Sequence, residues 1–243
     1  KGGNVKADAY PPRDHMLRDL NILLEYRGKE GSTARAPVVP TVCNDQGAMQ
    51  VGILATLIDV LGSTLAARVV YPDWIAMADL LTYSTQRART GEVTAVGSVL
   101  RAGRAAVVIE AEILAGTTQL GATATSIGSA VATFSRLPRR EDNLDIGRDD
   151  GSYQVLAFRG EGPGLSQHLL DKAGLRVLDE VVGAVELNMS EYVRNSFRAL
   201  QGGMIALMAD VAGQYAARAV AHKPMMTADL AIHYLSLGRA GPF

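Results

Sequence analysis

The sequence predicts an α+β fold in which one unit, an antiparallel sheet wrapped around a single long helix, occurs twice along 243 residues. Three observations carry this expectation. Each half holds a run that is apolar on every side and long enough for a buried helix. After the first of these runs the chain breaks into short Val-, Ile- and Thr-rich segments separated by turn residues, as antiparallel strands do. The two apolar runs also match each other in register, which is the mark of an internal repeat.

The elements follow in chain order. There is room for a strand or two ahead of "QVGILATLIDVLG" at 50–62, the first central helix. "MADLLTYSTQ" at 77–86 reads as a strand, and 93–100, 105–115 and 119–134 read as three more, broken at "RAGR" and "AGTTQ". The charged stretch "RLPRREDNLDIGRDDG" at 136–151 shows neither periodicity and reads as a linker. "QGGMIALMADVAG" at 201–213 then matches the first helix at an offset of 151, and the match reaches back to Asn44 and Asn195. After a slip of one residue the offset is 150: 66–68 matches 216–218, 78–80 matches 228–230, and Gly91 matches Gly241. The expected organisation is a first domain at 1–135, a linker at 136–151 and a second domain at 152–243 that stops before its last strands. The natural chain is therefore expected to run beyond Phe243, and the lack of an initial Met leaves its true start open.

Composition narrows the function classes. The net charge is −1 with acids and bases interspersed, and no basic block or Arg/Lys stripe suggests a nucleic-acid partner. A lone cysteine, Cys43, rules out an internal disulfide or a Cys-based zinc cluster, suits a cytoplasmic location and is expected to be a packed small apolar residue. "KGGNVKADAY" has no apolar core of the kind a signal peptide needs. Residues 51–67 approach bilayer length, but Asp59 near their centre and flanks without anchoring residues argue for a buried helix and no membrane partner. His15, His168, His222 and His233 show no metal-ligand spacing, so no metal is expected. His233 alternates with apolar neighbours and reads as an ordinary strand position, and Asp79 and Asp229 read as turn or structural residues.

Asp59 and Asp210 are the chemistry-bearing candidates. A carboxylate in the middle of a buried apolar helix must be hydrogen-bonded, paired or used. Its duplication, with Gln50 and Gln201 nine residues earlier and Asn44 and Asn195 fifteen earlier, favours use.

These residues resemble the hotdog-fold thioesterases, in particular the branch similar to the phenylacetic-acid pathway enzyme PaaI. That family's pattern is an Asn, then His-Gly-Gly, then an acid nine residues after the His, followed by a strand opening in a Ser/Thr-x-Asp-Leu-like stretch. Here the second copy has Asn195, Gln201-Gly202-Gly203, Asp210 and 227–230, and the first has Asn44, Gln50-Val51-Gly52, Asp59 and 77–80. Gln replaces the His in both copies, and Val51 replaces the first Gly in one. The resemblance implies a tandem, or double, hotdog that hydrolyses acyl-CoA or aryl-CoA thioesters without a cofactor, CoA being part of the substrate. Higher homo-oligomers of such chains are expected by analogy.

The chemistry would use a helix N-terminus, whose unpaired amides and partial positive charge can hold an oxyanion. Asp210 lies about 12 Å along its own helix from Gly202 at the standard rise, too far to act there. Antiparallel packing of the two helices removes the difficulty. Site one would then combine Asn195, Gln201 and Gly202 with Asp59 and Met77. Site two would combine Asn44, Gln50 and Val51 with Asp210 and Thr227. The acid would serve as general base or nucleophile, kept ionised by the nearby helix end. Gly52 and Gly203 belong to the same corners, and Arg89, Arg101 and Arg104 are candidate contacts for CoA phosphates. The competing expectation is an acyl-CoA-binding protein without catalysis.

Overall fold

The computed structural model describes residues 10–28, 31–116, 124–141, 151–158 and 164–243. In chain order the elements are helix α1 (Met16–Asp19), strands β1 (Leu23–Tyr26) and β2 (Ser32–Pro37), helix α2 (Val51–Val70), strands β3 (Trp74–Ser84), β4 (Glu92–Ala102), β5 (Ala106–Ala115), β6 (Thr125–Leu137) and β7 (Gln154–Ala157), helix α3 (Leu169–Ala173), strands β8 (Leu175–Asp179) and β9 (Ala184–Leu187), helix α4 (Gly202–Ala221) and strand β10 (Asp229–His233). The strand at 119–134 is observed as Thr125–Leu137; residues 117–123 lie outside the described residues, as do 142–150 of the linker.

Eight strands form one antiparallel sheet in the order β10-β3-β6-β5-β4-β2-β1-β7, and β8 pairs with β9 separately. The sheet curves around α2, which packs on β2, β3, β4, β5 and β6 and is therefore apolar on nearly every face. α2 is long and apolar enough to cross a membrane, but most of it is buried inside the fold. α4 packs on α2, β9 and β10, and buries only the stripe that contains Gly203, Met204, Ala206, Leu207, Asp210 and Val211.

The repeat is visible in the register. Strands β3 and β10 pair antiparallel with Leu81 opposite Ala231, two residues 150 apart, so each strand meets its own counterpart about a local pseudo-twofold axis. The isolated bridge Cys43–Met49 recurs as Arg194–Leu200, at an offset of 151. Phe243 exchanges both backbone hydrogen bonds with Leu187, the counterpart of the Val93–Ala36 pair that joins β4 to β2. One segment crosses the boundary expected at 152: Gln154–Ala157 pairs with β1 and extends the first sheet, because β1 offers it a free edge. The expected linker is likewise shorter at its start, since β6 runs through Leu137.

The two long helices run antiparallel and touch closely. A Cβ built on Gly52 would fall 2.3 Å from the Leu207 Cα, and one built on Gly203 would fall 2.3 Å from Thr56 Oγ1. Thr56 and Leu207 are themselves counterparts at offset 151, so the second glycine of each motif is the residue that lets the backbones approach.

Candidate active site

Gln50 and Gln201 precede the first turns of α2 and α4 in extended conformation, and neither side chain caps its helix. Unsatisfied amides are left at both helix starts. The opposite helix supplies the acceptors: Gly52 N donates to Asp210 Oδ2 at 2.9 Å, and Gly203 N donates to Asp59 Oδ2 at 3.2 Å. Each buried acid thus serves the partner helix.

The two corners then diverge. Asp210 Oδ1 also accepts from Gln214 Nε2 at 2.7 Å and Thr227 Oγ1 at 2.5 Å, so this carboxylate holds three donors and is 1 % exposed. Asp59 accepts only from Gly203 among the described residues and lines a cavity of about 710 Å³. Met77, Asn195, Gln201 and Gly202 line the same cavity, so the five residues grouped as site one lie together.

The site-two residues do not form an equivalent opening. A second cavity of about 510 Å³ is lined by Asn44 and Gln50 but not by Val51, Asp210 or Thr227. Three exchanges between the halves accompany the difference. Val51 stands where Gly202 stands in the other half, and Gln214 and Tyr215 stand where α2 has Ser63 and Thr64. Each replacement is larger, and Gln214 turns inward onto Asp210.

Gly202 is the open point of site one. A Cβ there would lie 3.0 Å from Asp59 Oδ2 and 3.5 Å from Met77 Cε, so the missing side chain leaves the space beside the carboxylate. The Gly202 N–H donates to no protein group among the described residues, while the amide after it is spent on Asp59. Asn195 shapes the turn that leads in: its Oδ1 accepts from Phe197 N and Ala199 N at 2.9 and 3.0 Å. Asn44 does the same with Gln46 N and Ala48 N. The asparagine oxygens are therefore engaged by the protein's own backbone.

Burial pushes the Asp59 carboxyl up to about 7, against the opposing pull of the Gly203 hydrogen bond. Desolvation is the larger influence here, set against the help toward ionisation expected of the nearby helix end.

Sequence reasoning missed several neighbours. Tyr234 lines the cavity and donates from its hydroxyl to the Gly202 carbonyl at 3.0 Å, which braces the helix start. Tyr10 lines it too, and both phenols are held neutral by burial and by the nearby Asp59 charge. His15 and His168 show no metal-ligand spacing in the sequence, yet each Nδ1 accepts from the start of its own short helix, from Leu17 N and Leu170 N. Their Nε2 atoms contact the carbonyl of Arg194 at 2.9 Å and that of Cys43 at 2.8 Å, each in the other half. The recurring His-x-Leu at 15–17 and 168–170 is the signal that was available.

The remaining candidates sit apart. Arg101 and Arg104 lie at the β4–β5 turn and line neither cavity, and Arg89 donates to the Gln46 carbonyl. Cys43 is buried, as expected of a packed small residue. Asp79 and His233 face each other across β3 and β10, with Oδ1 and Nδ1 2.6 Å apart. No cluster of His, Cys, Asp and Glu among the described residues is arranged to hold a metal.

The chain matches no protein-family model and no curated protein. It is similar to several solved structures. The conserved protein PA5202 from Pseudomonas aeruginosa is 24 % identical over 47 % of this chain and 88 % of its own, with a TM-score of 0.41. Thioesterase PA1618 from the same organism is 23 % identical over 49 % and 84 %, with a TM-score of 0.43. Protein BH2602 from Bacillus halodurans, solved with CoA, is 22 % identical over 45 % and 70 %, with a TM-score of 0.39.

Proposed function

We propose that this chain is an acyl-CoA thioesterase of the double-hotdog kind, with its chemistry at site one and with Asp210 serving structure. One observation carries the reading. A carboxylate from α2 and an unpaired amide from the start of α4 meet in one cavity, and the space between them is open because residue 202 has no side chain.

In this reading the thioester carbonyl oxygen accepts from Gly202 N–H, where the helix end favours developing negative charge. Asp59 takes a proton from a water that attacks the carbonyl carbon. The tetrahedral intermediate expels the thiolate, and the proton passes from Asp59 to the sulfur, leaving a carboxylic acid and free CoA. A carboxyl near 7 suits this exchange, because it can both accept and return the proton at neutral pH. Gln201 lines the cavity and offers its amide to the ligand in place of an imidazole.

The test is thiol release over a panel of acyl-CoAs and aryl-CoAs by the wild type, Asp59→Asn and Asp210→Asn. Release by the wild type that Asp59→Asn abolishes supports the proposal. Binding of acyl-CoA without release by the wild type would leave a binding protein instead.

A further inference from the structure

The cavity extends well past Asp59. Its wall on α2 continues through Val60, Ser63, Thr64 and Ala67 to Arg68, and positions 59 and 68 are about 13.5 Å apart along the helix at the standard rise. Arg68 is 4 % exposed. Its Nη2 donates to Gln154 Oε1 at 2.6 Å, its guanidinium lies 4.4 Å from the centroid of the Tyr26 ring, and its Nε is buried with no hydrogen-bond partner. Among the described residues, no carboxylate lies within ion-pair distance of it.

A buried guanidinium facing only an amide oxygen and an aromatic ring is an unusual expense, since buried charges are ordinarily paired. The other half shows the ordinary outcome. Arg218, the arginine near the end of α4 and one residue out of step with Arg68 when both helices are counted from their first residues, is 44 % exposed at its side chain and pairs with Asp45 at 2.5 Å and Glu180 at 3.9 Å. Gln154 reaches Arg68 because β7 crosses to the edge of the first sheet, opposite Tyr26, so the strand that breaks the domain boundary also fixes the guanidinium.

The cavity has a solvent side and an inner side. Leu235 and Leu237, which follow Tyr234 beside the start of α4, line it and are 93 % and 46 % exposed. Arg68, itself 4 % exposed, lies at the far end of the α2 wall. We infer that Arg68 selects the acyl group: the substrate class is an acyl thioester whose chain ends in a carboxylate, which pairs with Arg68 while the thioester sits at Gly202 and Asp59 and CoA leaves past Leu235. The inference rests on the thioesterase reading for its orientation. A guanidinium held by an amide oxygen and an aromatic ring, with no carboxylate partner among the described residues, offers a carboxylate charge-assisted hydrogen bonds that a methyl terminus cannot use.

The experiment compares hydrolysis of ω-carboxyacyl-CoAs with unsubstituted acyl-CoAs of the same length by the wild type, Arg68→Gln and Arg68→Lys, each variant first checked for an unchanged unfolding midpoint. The wild type is expected to favour the ω-carboxy series by about tenfold or more in kcat/KM, since a site with a buried polar group rejects a ligand that leaves it unpaired. Arg68→Gln should lower kcat/KM for the ω-carboxy series by more than for the unsubstituted series, erasing that preference, and Arg68→Lys should restore part of it. An equal loss on both series, or a wild type with no preference, overturns the inference while leaving thioesterase activity standing. If no ester is hydrolysed, the thioesterase reading fails. Dissociation constants of the two series for Asp59→Asn then decide the inference separately: tighter binding of the ω-carboxy series that needs Arg68 supports it, and equal binding overturns it. A variant whose midpoint falls is replaced by Gln154→Leu, which leaves the arginine in place but removes its orienting partner; an unchanged preference there counts against the inference.

Discussion

Among the described residues Asp59 takes a single hydrogen bond, from the Gly203 amide 3.2 Å away on the opposite helix, where its counterpart Asp210 takes three. The same residue type, at the same place in two copies of a motif, is thus left poised in one and saturated in the other. Opposite stability effects follow from the two Asn substitutions. Asp59→Asn removes a carboxyl that burial disfavours in its charged form, so at neutral pH it should raise the unfolding free energy, by roughly 1–3 kcal/mol, while lowering kcat at least ~100-fold. Asp210→Asn turns one acceptor into a donor facing donors, and should cost about 1–3 kcal/mol of stability. Denaturant unfolding of the two variants, with thiol release measured in parallel, checks both.

The acid near 7 also sets a pH dependence. Thiol release should rise with pH through about 7 as Asp59 ionises, and level off above it. Stability should move the other way at this residue. Because the folded value lies above the ordinary 3.8, the native state holds the proton longer than the unfolded chain, and the contribution is lost as pH rises from about 3.8 through about 7. The difference in unfolding free energy between Asp59→Asn and the wild type should accordingly grow over that interval. A difference that stays flat would place the carboxyl at an ordinary value.

The glycine pair offers a separate check. Gly202 and Gly203 are adjacent but do different work. Gly202→Ala puts a methyl 3.0 Å from Asp59 Oδ2, in the space proposed for the thioester, and should lower kcat/KM by ~100-fold or more with little loss of stability. Gly203→Ala drives a methyl to 2.3 Å from Thr56 Oγ1 at the helix crossing, and should cost about 1–3 kcal/mol of stability. Val51→Gly, the converse change in the other half, should not create a second active centre, because Gln214 and Thr227 still occupy Asp210. The readouts are the unfolding midpoint and kcat/KM of the three variants.

Much of this arrangement was legible because the chain states it twice. The central helices follow from comparing one copy with the other, and their antiparallel pairing through Asp59 and Asp210 follows from the length of each helix together with the family resemblance; the exchange of Gly202 for Val51 is legible, but not which site it favours. What the copies do not share was harder to read. Gln214 reaches Asp210 from one turn further along the same helix, but Thr227 and the Gly52 amide of the opposite helix meet that carboxylate only in the packed fold. The pairing of β7 with β1 follows from a free sheet edge, which no local pattern in Gln154–Ala157 announces. Arg68 reads as a helix-terminal charge, and its burial depends on that same strand. The level of Asp59 is not legible in the sequence, because the helix end is visible there whereas the degree of desolvation is a property of the packed fold.

His15 and His168 illustrate the last kind, and they carry the final prediction. Each caps its own short helix and reaches across to the loop just before the other half's asparagine, at Arg194 or Cys43. Replacing His15 by Ala should remove both bonds from a fully buried position and cost about 1–3 kcal/mol, with a further loss of activity because the Asn195 turn that leads into Gly202 loses its tether. Burial lowers the His15 pKa below its ordinary 6.5, so the unfolded chain binds the proton first. The stability His15 contributes is therefore fully present above about 6.5 and declines as pH falls from there through the lowered native value. Unfolding free energies of the wild type and His15→Ala should converge on acidification. Parallel curves would mean that the ring is accessible and titrates as it does in the unfolded chain.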